Sequence, residues 1–514
     1  MTPARSSVSR ILSASAASWV RIAVTVVTQI ALVPLFLGSW DAQTFGAWLL
    51  LQAIWGVITV VDTAHHDYIG YECLRLGPAQ RLAIAQIIFS AAPVVVLIAL
   101  WNLLLAWQLG HADFLAGWIG HDEQLLSQWR SALLLMAVTW LVVGSLGGLL
   151  VRWFTPFGYH PQFAWWGVVY AVLTAAAPAL AVVGGANLLQ ATVVLCLTSL
   201  AYYVVFFVGM LRIVRKEGFV PVRPNLRQGL AQGLSSLWLV GKSLAQMARQ
   251  QGSRIILAPL AGVADMAAFA TMRTGANFAL QGLNSITSPV MPELMRFLVA
   301  RDQPRTESTF AIVWLVLCAV LCPAIIVVQW LAPSLFPLWT QGKIAFDPWL
   351  FGMLSLSVAV LALAQPASAV LVGNNILRAQ LTISIGAATV AIGGMFWLVP
   401  LMGVRGAALA LLAAELTSLA AVVGVAQQWL QQQGMHWPWK AFCVAAASVP
   451  VTGLGMLALE LLPHGWPVIG LATFLVLQAV VAFVYWRHLP AMARIRAASL
   501  VVRFLPATLR PQIK

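Results

Sequence analysis

Charge is what this chain has least of. Only 9% of its 514 residues are Asp, Glu, Lys or Arg, where a soluble domain carries about 25%. Acids are scarcer still, 15 against 29 Lys and Arg. No stretch is polar enough to make a soluble domain. That leaves a membrane glycosyltransferase or ligase without a catalytic loop, and argues against an enzyme. The five cysteines, Cys73, Cys196, Cys318, Cys322 and Cys443, show no metal-ligand spacing, and read as small packing residues. No metal site or disulfide is implied. A phosphate-cradling loop is missing too: Lys242 follows a lone Gly241, not the glycine-rich turn of an ATPase.

What the chain has is apolar length. It is 61% hydrophobic, with a mean hydropathy of +0.88. Runs of roughly 18 or more apolar residues read as membrane helices. Fourteen such runs are legible, the first at 11–37, the second at 44–68, the seventh at 228–260, the eighth at 265–291 and the last at 466–487. The first is too long for a signal-peptide core and reads as a retained helix. With both termini inside, alternate loops hold 21 of the 29 basic residues, while the opposite loops hold only Arg130, Lys343 and Arg405. Basic residues collect on the cytoplasmic side. The net charge of +14 is therefore topology, and no nucleic acid is implied. Tryptophans such as Trp40, Trp107, Trp339, Trp439 and Trp486 sit near the predicted helix ends, as the interfacial preference of indole requires.

A repeat is present. LVPLFLGSWDAQTFG (32–46) aligns with LAPLAGVADMAAFA (257–270), pairing Pro34 with Pro259, Gly38 with Gly262, Asp41 with Asp265 and Phe45 with Phe269. Glu72 and Arg75 match Glu293 and Arg296. Helices one and two thus correspond to seven and eight, in the same direction, which makes the repeat parallel. The expectation is an all-α polytopic membrane protein of about fourteen transmembrane helices. Residues 1–215 form a six-helix bundle, 216–435 a second, and 436–514 two further helices and a basic tail.

The polar residues of these four helices fall at helical steps. Helix one has Ser15, Ser18, Arg21, Thr25 and Thr28; helix two has Gln52, Thr59, Asp62 and His66. Helix seven has Lys242, Gln246, Arg249 and Ser253, with Arg254 alongside; helix eight has Arg273, Asn277, Gln281, Asn284 and Ser288. A charge at mid-bilayer costs about 2.5–3.5 kcal/mol on an insertion scale. The basic residues are therefore expected to face a protein-lined cavity between the halves. Snorkelling or carboxylate pairing is the alternative, but the only clear intramembrane acids are Asp62 and Glu415. A cationic cavity lined by Arg21, Lys242, Arg249, Arg254 and Arg273 suits anions, phosphate above all, and disfavours organic cations.

One polar cluster stands at the end of helix two: VVDTAHHDYIGYE, Val60 to Glu72. Asp62 lies roughly 27 Å along its helix, which places His65 to Glu72 at or beyond the inner surface. Three roles are open. The stretch is a solvated helix end, with Asp67 and Glu72 pairing Arg75 or Arg81. It is a gate, Asp62 or His66 bonding helix seven. Or it takes up a coupling proton. Adjacent histidines point different ways on a helix, which argues against a metal.

The passage Pro34…Leu37-Gly38…Phe45-Gly46-Ala47-Trp48, the turn Gly403-Val-Arg-Gly-Ala-Ala408 and the VGNNILRAQ loop (372–380), in this order and with this helix count, resemble the Wzx-type polysaccharide flippases of the MATE-like multidrug/oligosaccharidyl-lipid/polysaccharide exporter superfamily. Where that family commonly has an Asp-Leu-Gly turn, this chain has Asp62-Thr-Ala-His-His-Asp67. The resemblance implies a bacterial inner-membrane protein with cytoplasmic termini and no resident cofactor. It would flip undecaprenyl-pyrophosphate-linked oligosaccharide repeat units by alternating access, for O-antigen or exopolysaccharide assembly. Coupling to H+ or Na+, contacts with membrane lipids and a polysaccharide-polymerase partner go with that reading; Asp62, His66 and Glu415 are its gate or ion-coupling candidates. A peptidoglycan lipid-precursor flippase and an ion-coupled small-molecule exporter are the alternatives.

Overall fold

A computed structural model describes residues 7–494 except 77–78, 120–121, 219–220, 288–293, 295–296, 299, 375, 462–466 and 490–491. Glu293 and Arg296 of the repeat, and Ser288, fall outside the described residues, as do the side chains of Ser15, Ser18, Lys242, Gln246, Arg249 and Asn284.

The described elements are helical: α1 (Ser7–Ser39), α2 (Ala42–Ile58), α3 (Val60–Leu76), α4 (Arg81–Gly110), the short α5 (Phe114–Ile119), α6 (Glu123–Phe154), α7 (His160–Val183), α8 (Leu188–Glu217), α9 (Leu226–Ala261), α10 (Val263–Thr287), α11 (Gln303–Trp339), α12 (Pro348–Gly373), α13 (Leu377–Met402), α14 (Val404–Gln432), α15 (Trp439–Leu461) and α16 (Pro467–His488). Ten of these are long and apolar enough to cross a membrane, and the bent pair α2–α3 makes eleven. α1, α9 and α10, which carry many of the polar residues the sequence places within the membrane, are outside that count. With them the described residues hold fourteen long helices or helix pairs. The protein is an all-α multi-pass membrane protein.

The acids explain themselves first. Asp41, Asp122, Asp302 and Asp347 cap the starts of α2, α6, α11 and α12, each accepting a backbone N–H of the first turn. Such a cap satisfies donors that a helix start leaves open. Two of these carboxylates also pair with arginines at the same helix ends, Asp302 with Arg305 and Asp347 with Arg405. Asn187 and Gln190 form a reciprocal capping box at the start of α8, where Gly185 takes φ +90°. The glycine turn at 403–408 works through close approach: a Cβ on Gly406 would lie 2.3 Å from the Leu398 carbonyl oxygen, so α13 and α14 meet backbone to backbone.

The chain forms two compact units. Unit 1 holds residues 1–268 together with 339–344; unit 2 holds 269–338 and 345–514. In unit 1, α1 lies along α7, α6 packs on α8, and α9 packs on α2, α3 and α4. The repeat counts α9 as the first helix of the second half, while its main contacts are with α2, α3 and α4 of unit 1. Gly46 of α2 sits against Val263, since a Cβ there would meet the Val263 carbonyl at 2.2 Å. The two repeat-related junctions therefore touch.

In unit 2, α14 packs on α12 and α13, and α15 joins α12 and α16. A buried polar seam fixes the terminal pair. Gln478 of α16 donates to the Thr452 hydroxyl at 2.7 Å and to the Ser448 carbonyl at 2.9 Å, and Cys322 of α11 lies 3.5 Å from the Ser448 hydroxyl. The Tyr485 hydroxyl reaches the Ala311 carbonyl at 3.0 Å.

At the α4 start, Arg81 donates to the Glu217 carbonyl at 2.6 Å and lies over the Phe157 ring, while the Tyr159 hydroxyl donates to the Glu217 carboxylate at 2.6 Å. Burial and then this carboxylate push the Tyr159 hydroxyl up to about 12, from about 10 in a free chain. A raised value means that the folded state holds the proton more tightly. Its stabilising effect is complete below pH ~10 and is lost towards pH ~12. Melting temperature should fall across that window, and Tyr159→Phe should flatten the fall. An identical profile in the variant would remove Tyr159 as the cause.

Candidate polar site at the α3–α6–α9 junction

The sequence predicts one helix over 44–68, but the chain breaks at Thr59 and α3 turns 42° from α2. The Thr59 hydroxyl donates back to the Trp55 carbonyl at 3.0 Å, and Thr63 to the Thr59 carbonyl at 3.1 Å. Such back-bonding bends helices. The bend carries the polar cluster inward. Asp62, His65 and His66 are all buried, at 0%, 0% and 2% exposure, which disfavours a solvated helix end among the three expected roles.

Three glycines make room for them. α6 contains a π turn, Trp140–Gly144, and such single-turn insertions often occur at functional sites. A Cβ on Gly144 would collide with the Trp140 ring at 2.4 Å, on Gly147 with the Tyr203 ring at 2.4 Å, and on Gly148 with the His66 imidazole at 2.6 Å. Small residues let rings lie on a helix backbone, as is usual inside membranes. The Trp140 indole N–H then donates to Asp62 Oδ2 at 2.5 Å, and His66 Nε2 lies 3.3 Å from Asp62 Oδ1.

His65 points the other way, to α9. Its Nδ1 lies 3.1 Å from the Ser236 hydroxyl, which itself donates to the Gly233 carbonyl at 2.7 Å. The hydroxyl proton is thus used, so His65 Nδ1 carries the hydrogen and donates. Around this bond α9 is a seam of small residues. A Cβ on Gly229 would meet the Ser90 carbonyl at 2.1 Å, and one on Gly233 the Val94 side chain at 3.3 Å. Of the gate expectation, the link to helix seven is present, but His65 makes it, not Asp62 or His66. Glu72 pairs with Arg75 at 3.0 Å, one of the expected partners. Asp67 pairs instead with Arg152 of α6, an arginine that the sequence assigns to a loop.

The other expected lining residues fare differently. Thr25 and Thr28 donate their hydroxyls to the Arg21 and Val24 carbonyls of their own helix, at 2.8 Å each, and so offer only acceptors. Gln52 is half-buried. Arg21 is exposed and Arg254 half-buried. Among the described residues, ion pairs involve Asp62, Asp67, Glu72, Glu217, Asp302 and Asp347, and none engages Arg21 or Arg254. In unit 2, Arg273, Asn277, Gln281 and Glu415 are partly buried, and Arg273, Gln281 and Glu415 are engaged by neighbours. The structure brings Asp62 and His66 together and adds His65, Trp140 and Ser236. It brings no described carboxylate to Arg21 or Arg254. The His65 contact with α9 and the run Val-Gly-Ser-Leu-Gly-Gly148 are what sequence reasoning passed over; the glycine spacing in an apolar helix was the available signal.

No known protein family's sequence profile matches the chain, and no curated protein sequence matches it. Solved structures do. The lipid II flippase MurJ, in an inward closed conformation, superposes with a TM-score of 0.62 at 11% identity, over 93% of this chain and 99% of that one. An inward-facing multidrug resistance MATE family transporter of the MOP superfamily gives 0.54 at 13%, over 78% of this chain and 94% of that one. The Vibrio cholerae MATE transporter VcmN, in a mutant form, gives 0.53 at 16%, over 82% and 98%. The chain thus shares the fold of these solved transporters and this flippase.

Proposed function

We propose that the protein flips a polyprenyl-pyrophosphate-linked oligosaccharide across the bacterial inner membrane, with both termini cytoplasmic, for assembly of O-antigen or exopolysaccharide. The observation that carries this reading is Arg254, a half-buried guanidinium on α9 that no described carboxylate pairs. Arg21 on α1 is exposed and likewise meets no described carboxylate. With Lys242, Arg249 and Arg273 in the sequence, they favour an anionic cargo. Guanidinium forks match phosphate oxygens and can replace the hydration that a pyrophosphate loses on leaving water. The lipid tail stays in the bilayer while the head passes between alternately exposed sides. No bond is made or broken, and no cofactor is required. The similarity to a lipid II flippase supports a lipid-linked glycan as the cargo class, and a polysaccharide polymerase is a natural receiver of the product.

A deletion strain tests this. Loss of surface or secreted polymer, with lipid-linked repeat units trapped on the inner leaflet, is the expected result. Arrested cell-wall synthesis would point to the peptidoglycan precursor instead, and normal polymer with altered tolerance to small molecules to an exporter.

For a driving force, the reading assigns proton uptake to Asp62 and His66. Asp62→Asn keeps an oxygen for the Trp140 indole but cannot titrate. The variant should fold and lose the dependence of flipping on a proton gradient. Undiminished gradient dependence in proteoliposomes would move the coupling elsewhere, with Na+ and Glu415 next to be tried.

A further inference from the structure

Residues 339–344 run from the last residue of α11 towards α12. Their flanks, Leu338 and Ala345, group with unit 2, yet the six residues between group with unit 1. Their hold there is on the end of α1. Pro34 has no N–H, so within α1 it cannot serve the Ile30 carbonyl four residues before it. The Trp339 indole N–H does so instead, at 2.7 Å. Gln341 Nε2 reaches the Pro34 carbonyl at 3.5 Å. The Lys343 ammonium donates to the Trp40 carbonyl at 3.0 Å, just past the end of α1, where the helix dipole favours a cation. The segment is shaped for this. Gln341 and Gly342 have φ of +56° and +69°, as in the tight turns with two positive φ values, and Thr340 beneath them is fully buried. A non-glycine residue held at positive φ indicates that the surroundings impose the turn.

We propose that residues 339–344 are a latch on α1, and that Trp339 must leave the Ile30 carbonyl once in each transport cycle. The inference rests on the alternating-access reading above. α1 carries Arg21, so a helix that presents a cargo-binding cation is held by a loop from the other half of the chain. A carbonyl left open by proline gives the latch a polar socket inside an apolar helix, and Lys343 at the helix end gives it a second hold. Releasing both frees α1 to move.

The test uses cysteine chemistry in a Cys443→Ser background, because Cys443 is the exposed native cysteine among the five. A cysteine at position 38 fits, since an added Cβ there would lie 3.9 Å from Gln341 Nε2. In purified protein, Gly38→Cys should react with a maleimide several-fold faster when Trp339→Phe removes the indole N–H and keeps a ring. Lys343→Met should act in the same direction. Equal rates in all three proteins would overturn the latch, and this readout needs no knowledge of the cargo. In cells, oxidising the pair Gly38→Cys and Gln341→Cys should stop polymer export, and reductant should restore it. Full export through a completely formed cross-link would overturn the proposal. If the parent exports no polymer at all, the proposed function fails while the labelling rates still decide the latch.

Discussion

Replacing Arg254 with glutamine should cut polymer export about thirtyfold, by loss of roughly 2 kcal/mol of charge-assisted hydrogen bonding to the cargo head, while the protein reaches the membrane at the parent level. Arg254 is half-buried on α9 and meets no described carboxylate. Its removal strands no buried acid, so the fold should not suffer. Arg254→Lys keeps the charge and loses the fork, and should fall between. Export assays on strains matched for protein level decide it. Parent-level export from the glutamine variant would detach Arg254 from the cargo and weaken the anionic reading as a whole.

The largest effect on stability is expected at Gly229. A Cβ there would lie 2.1 Å from the Ser90 carbonyl oxygen of α4, a backbone atom with no rotamer to give way. The Ser90 hydroxyl also accepts the Asn225 N–H at 3.0 Å, so the same residue fixes the α9 cap. Gly229→Val should push α9 off α4 and destabilise the protein by about 3 kcal/mol, the upper part of the usual overpacking range. Gly241, on the same helix, meets nothing within 4 Å. Gly241→Ala should therefore stabilise slightly, by about 0.5–1 kcal/mol of helix propensity. Thermal unfolding in detergent reads both. A Gly229→Val protein as stable as the parent would mean that α9 does not dock on α4 in this way.

The helices were legible because the bilayer demands long apolar runs and the turn chemistry is local. Asp41, Asn187 and the glycine at 403 do what their residue types suggest. The candidate site was legible only in part. Asp62 and His66 stand four apart in the sequence, so their contact follows from helical spacing. Their burial does not. It depends on a bend set by Thr59 and on three glycines of α6, two helices away, whose effect lies in what they leave out. The π turn at 140–144 inserts a residue that no hydrophobic period reveals. The His65 contact with α9 is not legible, because a sequence face is counted along one helix and its partner Ser236 is 171 residues on. The Asp67 pair with Arg152 has the same origin, a contact across helices that charge counting assigns to separate loops.

The seam of Cys322, Ser448, Thr452 and Gln478 has a consequence for biogenesis. The helix that begins at Gln303 is finished against one that ends at His488. Most of unit 2 has thus been synthesised and inserted before its last buried hydrogen bonds can form. A nonsense mutation at residue 470 would leave Thr452 and the Ser448 carbonyl without Gln478, facing an empty slot in the membrane, and the truncated chain would be recognised as unfinished by membrane quality control.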